Sequence, residues 1–124
     1  MAVKFLSLWL PVGGYTALIF WVSSVYRPVP GIELFPQIDK LWHLAEYTPL
    51  GCFVLRAVTR SFRSIGMARA WMAGGAYALV VGVLDEFYQS FVPMKDPSGF
   101  DLLFDLAGAL LGQWLYGRRV AKTP

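Results

Sequence analysis

The sequence predicts an all-α fold: a four-helix transmembrane bundle with the N-terminus and the C-terminus both cytoplasmic. Three observations carry that expectation. The 124 residues are 56% hydrophobic and only 15% charged, with a mean hydropathy of +0.51, far more apolar than a soluble domain of this size needs. The apolar residues fall into four runs separated by turn-forming or basic stretches. The charges are also segregated: all eight acidic residues lie within Glu33–Glu46 and Asp85–Asp105, and the 38 residues between carry four arginines and no acid. A chain this short has room for one domain, residues 1–124, whose core is too small to hide so much apolar surface from water.

The first run, Phe5 to Val25, holds 21 residues without a charge, which at about 1.5 Å per residue crosses a hydrocarbon core of about 30 Å. A cleaved signal peptide is the competing reading; the single Lys4, the long apolar run and the lack of a clear A-x-A site favour a retained helix. Arg27 to Ile38 breaks helix with Pro28, Pro30, Gly31 and Pro36, because each proline removes a donor and restricts its predecessor. The second span runs from Asp39 to about Val58, and Thr59 to Arg69 is a short basic connection. Ala70 to Phe91 is the third span, uncharged as far as Leu84; Pro93 to Phe100 is a turn; Leu102 to Tyr116 is the fourth span and contains Asp105. The uncharged runs of the last three fall short of the roughly 20 residues of an isolated transmembrane helix. These helices therefore carry polar residues into the bilayer or its interface.

Four spans place Lys4, Arg56, Arg60, Arg63, Arg69, Arg118, Arg119 and Lys122 on the side of the termini, and only Arg27, Lys40 and Lys95 on the other. The positive-inside rule then makes the termini cytoplasmic. All acids face outward, leaving −5 outside against +8 inside. The basic residues sit at the ends of apolar segments, with no basic run interleaved with exposed aromatics, so nucleic acid is not an expected partner. Cys52, the only cysteine, lies in an apolar segment and reads as a small buried filler.

On the second helix Asp39, Lys40, His43, Glu46 and Tyr47 stand at i, i+1, i+4, i+7 and i+8, one stripe of an α-helix. Asp39 also suits the helix N-cap. The third helix ends with Asp85, Glu86 and Gln89 at i, i+1 and i+4, and Asp101 and Asp105 are one turn apart at the start of the fourth. Three helices thus offer polar faces at one level, where a charged group turns to the bundle interior, a partner or water.

Asp39-Lys40-x-x-His43-x-x-x-Tyr47, then Asp85-Glu86-x-x-Gln89, then Asp101 ahead of Gly108, closely resembles the VanZ-like family of small bacterial membrane proteins over about residues 35 to 115. The resemblance implies a multi-pass protein of the bacterial inner membrane, acting in the cell envelope and related to a protein associated with teicoplanin resistance. It carries no reaction with it. Two positions depart from the pattern: Lys95 stands where an arginine is expected, which keeps the charge but loses the bidentate fork, and Asp105 stands where asparagine is common.

His43 is the only histidine, and an ordinary pKa of about 6.5 suits it to proton transfer. Asp39 or Glu46 would hold one ring nitrogen, leaving Asp85, Glu86 and Asp105 to stabilise a cation or a transition state. Lys40, Tyr47, Gln89, Lys95, Asp101 and Asp105 are the expected substrate contacts. One nitrogen and several oxygens suit a divalent cation, Mg²⁺, Mn²⁺, Zn²⁺ or Fe²⁺, with His43, Glu46, Asp85 and Glu86 as candidate ligands; no H-E-x-x-H or cysteine spacing reinforces them. Lys40, Arg27 and Lys95 would suit a lipid phosphate, but a bare anion would meet the net negative charge. Three readings stay open: a metal- or acid/base-dependent enzyme on an envelope lipid or precursor, a proton or cation relay, and a structural or partner-binding bundle.

Gly108-x-x-x-Gly112 on the fourth helix, with Gly74, Gly75 and Gly82 on the third, allows close backbone approach, within the chain or in a homo-oligomer. Pro49 frees the carbonyl of Ala45 and is expected to kink the second helix. The arginines snorkel to headgroups, and Trp9, Trp21, Trp42, Trp71 and Trp114 read as interfacial anchors.

Overall fold

A computed structural model of the chain describes residues 2–25, 34–35 and 37–122. The described residues form four helices and no strand: α1 (Ala2–Ser23), α2 (Ile38–Ser61), α3 (Met67–Gln89) and α4 (Gly99–Lys122). Arg27, Glu33 and the helix-breaking Pro28, Pro30, Gly31 and Pro36 lie outside the described residues.

The four predicted helices are present with shifted ends, and the shifts have local causes. Gln37 occupies the N-cap position of α2 without a side-chain cap bond. Asp39 is therefore not the cap expected of it; it lies in the first turn, where the helix dipole favours a carboxylate. α3 starts at Met67, ahead of Ala70, because Gly66 at φ −65° and ψ 146° supplies an extended entry. It ends before Phe91, at Ser90, whose Oγ donates to the Phe87 carbonyl at 2.5 Å. Ser98 takes the capping role for α4, accepting the Phe100 N–H on its Oγ at 3.2 Å. α4 runs past Tyr116 to Lys122, with Arg119 and Lys122 in its last turn, where cations offset the exposed carbonyls. α1 and α2 continue through Pro11 and Pro49.

Consecutive helices run antiparallel. At one end Gln89 donates to Ser23 Oγ at 3.3 Å and Lys40 reaches Asp101, which ties the end of α1, the start of α2, the end of α3 and the start of α4 together. At the other end Trp9 Nε1 donates to Ser61 Oγ at 2.9 Å. The described acidic residues gather at or near the first end; Arg60, Arg63, Arg69, Arg118 and Arg119 lie toward the second.

α2 is the central helix, in contact with all three others, whereas α1 and α4 do not touch among the described residues. Its most extensive contact is with α4, and glycine sets it. A Cβ on Gly108 would run into the backbone of Leu44, one on Gly112 into the backbone of Thr48, and one on Gly51 into the backbone of Ala109. The Gly108-x-x-x-Gly112 surface thus packs against α2 of the same chain. Cys52 is half-buried in this seam and donates to the Gly112 carbonyl at 3.0 Å.

Below the acidic end the interior is mostly apolar, built from Leu50, Val54, Leu55, Ala57 and Val58 of α2 with Val12, Ile19, Ala70, Ala78, Val81 and Ala109, and it also holds the buried Gln113 of α4. The outside is apolar too: Leu10 is 71% exposed, Met72 73% and Phe87 64%, a surface that a soluble monomer rarely presents. α1 from Lys4 and the whole of α3 are long and apolar enough to cross a membrane.

Candidate functional site

The predicted stripe on α2 meets the predicted pairs on α3 and α4 at the acidic end. Residues one helical turn apart share a face, so Lys40, His43 and Tyr47 turn together toward the interior. Asp101 and Asp105, also one turn apart, face them from α4. Lys40 Nζ bonds Asp39 Oδ2 at 3.0 Å and contacts Asp101 Oδ1. His43 Nδ1 lies 2.9 Å from Asp105 Oδ1, and its Nε2 lies 3.8 Å from Asp101 Oδ2.

The orienting role expected of Asp39 or Glu46 therefore falls to α4. Asp39 is taken up by Lys40, and Asp105 holds the imidazole. Sequence spacing along α2 favoured its own acids; the partner actually used depends on the rotation of α4, which the glycine seam fixes. Asp101 and Asp105, expected as substrate contacts, are engaged with Lys40 and His43. Lys40 is likewise committed to carboxylates, so it is not a free grip for phosphate. Arg27 lies outside the described residues.

Asp85 and Asp105 are fully buried, and Asp101 is 5% exposed. The Asp85 Oδ2 accepts from Gln89 Nε2 at 3.0 Å and from the buried Tyr47 hydroxyl at 3.4 Å. Glu86 is half-buried and its Oε2 accepts the N–H of Ser98 at 3.1 Å, so the residue that caps α4 is itself held by α3. Glu46 lies within electrostatic reach of His43, Asp85, Asp105 and Lys95. The half-buried Lys95 follows Met94, whose φ of 66° is a left-handed conformation uncommon for a side chain of its size.

Four oxygens in this cluster, Asp39 Oδ1, Asp85 Oδ1, Glu86 Oε1 and Asp105 Oδ2, are buried without a hydrogen-bond partner among the described residues. Leaving a buried carboxylate oxygen unpaired costs about 1–3 kcal/mol or more. Among the described residues, one set of three side chains comes close enough to share a cation: a ring nitrogen of His43 and one oxygen each of Glu86 and Asp105, all within 4.8 Å of one another. Of the ligand candidates read from sequence, His43 and Glu86 belong to this set, Asp105 joins them, and Glu46 and Asp85 stand outside it.

Sequence reasoning assigned α1 no part in the site because its run has no charge. α1 nevertheless contributes Ser23, 2% exposed and bonded to Gln89, and Tyr15, whose hydroxyl donates to the Glu46 carbonyl at 2.7 Å. That carbonyl neighbours the one freed by Pro49. The Ser23-Ser24 pair at the end of the apolar run was the available signal. Gln113 was also missed: it is fully buried, its amide able to donate to the Trp71 carbonyl and accept from the Gly75 N–H, both at 3.3 Å. Gly74 makes room for it, since a Cβ there would lie 2.6 Å from Gln113 Oε1. Comparison of the chain with known protein families, with curated proteins and with solved structures finds no match.

Proposed function

We propose that the chain is a VanZ-like protein of the bacterial inner membrane, crossing it four times with cytoplasmic termini. Its site, centred on His43, opens to the outer face and takes up a proton or a cation in work on an envelope lipid or its precursor. That work lowers susceptibility to glycopeptide antibiotics. The observation that carries a functional site over structural glue is the set of buried, unpartnered carboxylate oxygens around the one histidine. A bundle held together by polar contacts would gain by pairing each of them.

A relay through the whole membrane has less support. Below Tyr47 the buried residues of α2 are Leu50, Gly51, Val54, Leu55, Ala57 and Val58, which offer a proton no side-chain partner, and the buried Gln113 of α4 is an amide that does not titrate.

The test is expression in a glycopeptide-sensitive Gram-positive host. Wild type is expected to raise the inhibitory concentration of teicoplanin, and His43→Ala and Glu86→Gln are expected to abolish the rise while inserting at wild-type levels. An unchanged inhibitory concentration with wild type, or a rise retained by both variants, would sink the proposal.

A further inference from the structure

We infer that His43, Glu86 and Asp105 form a binding site for a first-row divalent cation of the Mn²⁺ or Zn²⁺ kind. This deepens the reading above, and rests on it only for the site being open to water.

The three residues come from three different helices, α2, α3 and α4, yet their ligand atoms lie within 4.8 Å of one another. Ligands about 2.1 Å from an ion lie about 3.0–3.4 Å apart as neighbours and about 4.2 Å apart across it, so side-chain adjustment of about an ångström brings the three onto one ion. The 2.9 Å contact between His43 Nδ1 and Asp105 Oδ1 holds both side chains in place.

A second, independent observation points to a ligand. Asp105 is fully buried and its Oδ2 has no partner among the described residues; Glu86 is half-buried, with its Oε1 buried and likewise without a partner among them. Each carboxylate has its other oxygen engaged, Asp105 Oδ1 by His43 and Glu86 Oε2 by Ser98. The side chains are thus oriented and one oxygen of each is left over. Gly82, one turn inward of Glu86 on α3, lets Leu102 pack close beside Asp105, since a Cβ there would lie 2.7 Å from Leu102 Cδ1 and 3.4 Å from Asp105 Oδ2.

The donor set of one imidazole nitrogen and two carboxylate oxygens fits Mn²⁺ or Zn²⁺ better than a thiophilic ion. Lys40 does not compete for the position, since it is held by Asp39 and Asp101. Three protein ligands leave coordination positions for water or substrate.

The experiment uses the full chain in detergent, purified without a polyhistidine tag and titrated with Mn²⁺. One saturable equivalent per chain is expected, displaced by Zn²⁺, and pulsed EPR of the bound ion should show ¹⁴N coupling from an imidazole. Because the chain has one histidine, that signal identifies His43 in the wild-type protein and needs no variant. Glu86→Gln should weaken binding by at least about tenfold. No saturable binding by wild type overturns the site. So does bound Mn²⁺ without nitrogen coupling, or undiminished affinity in a folded Glu86→Gln protein; where that variant does not fold, the nitrogen coupling decides. Binding is read without reference to orientation or phenotype, so a cation site that fails here leaves the envelope role standing, and the converse holds equally.

Discussion

Gln89 holds more of the site together than any other neutral side chain. Its amide nitrogen lies 3.0 Å from Asp85 Oδ2 and 3.3 Å from Ser23 Oγ, so it links α3 to α1 while supplying a fully buried carboxylate with its shorter described bond. Tyr47 supplies the other, at 3.4 Å, a length at which a hydroxyl bond is weak. Gln89→Leu should therefore destabilise by about 1–3 kcal/mol, because two buried polar groups lose their donor. Tyr47→Phe should cost about 1 kcal/mol or less. Denaturant unfolding of the detergent-solubilised protein measures both, and the reverse order would show that the tyrosine carries Asp85. At this scale the sequence was informative in proportion to how local the relation was. Helical phase placed Lys40, His43 and Tyr47 on one face and Asp101 with Asp105 on another, since positions one turn apart are fixed by the chain itself. It did not identify the His43–Asp105 pair, two residues 62 apart in sequence, which depends on how α2 and α4 are rotated against each other.

Among the helices, α2 and α4 decide that rotation, and they do so through absence of side chains. Gly108 and Gly112 are spaced by one turn on α4, as are Leu44 and Thr48 on α2, and the two glycines lie directly on the backbone of those residues. Adding a methyl group to Gly112 forces the helices apart and so displaces Asp105 from His43, one and two turns further along the same seam. Gly112→Ala should therefore lower stability by about 1–3 kcal/mol, the cost of overpacking a close contact. Gly14→Ala is the control: nothing lies within 4 Å of the added Cβ on α1, and alanine restricts the unfolded chain more than glycine does. It should leave stability unchanged or raise it. Thermal unfolding of the two variants side by side tests the seam, and equal effects would refute it. The four helices themselves were legible as apolar runs, but their ends were not. α3 starts at a glycine that hydropathy ignores, and α4 starts at Ser98 and ends among basic residues, where an apolar criterion stops too early. Gly108-x-x-x-Gly112 was legible as a close-packing signal, while its partner helix was not, because the motif says only that some backbone approaches.

Across the whole molecule, charge and apolar surface together set the expected orientation. The acidic end joins Lys40 and Lys95 to the described carboxylates, whereas the opposite end carries Arg60, Arg63, Arg69, Arg118 and Arg119. Arg118 lies over the Trp114 ring, 4.8 Å from its centroid, the arrangement of an amphipathic side chain at the edge of an apolar layer. Lysine and arginine, more than acids, determine which end stays in the cytoplasm, and their imbalance favours the arginine-rich end. On the proposed orientation the site faces outward. Replacing Cys52, the only cysteine, by alanine allows the exposed Asp96 and Ser64, at opposite ends of the bundle, to be changed singly to cysteine. In intact cells a membrane-impermeant maleimide should label the Asp96→Cys protein, and should label Ser64→Cys only after the membrane is permeabilised. Labelling of Ser64→Cys from outside would reverse the orientation and place the His43 site in the cytoplasm, and equal labelling of both would mean that the chain inserts both ways.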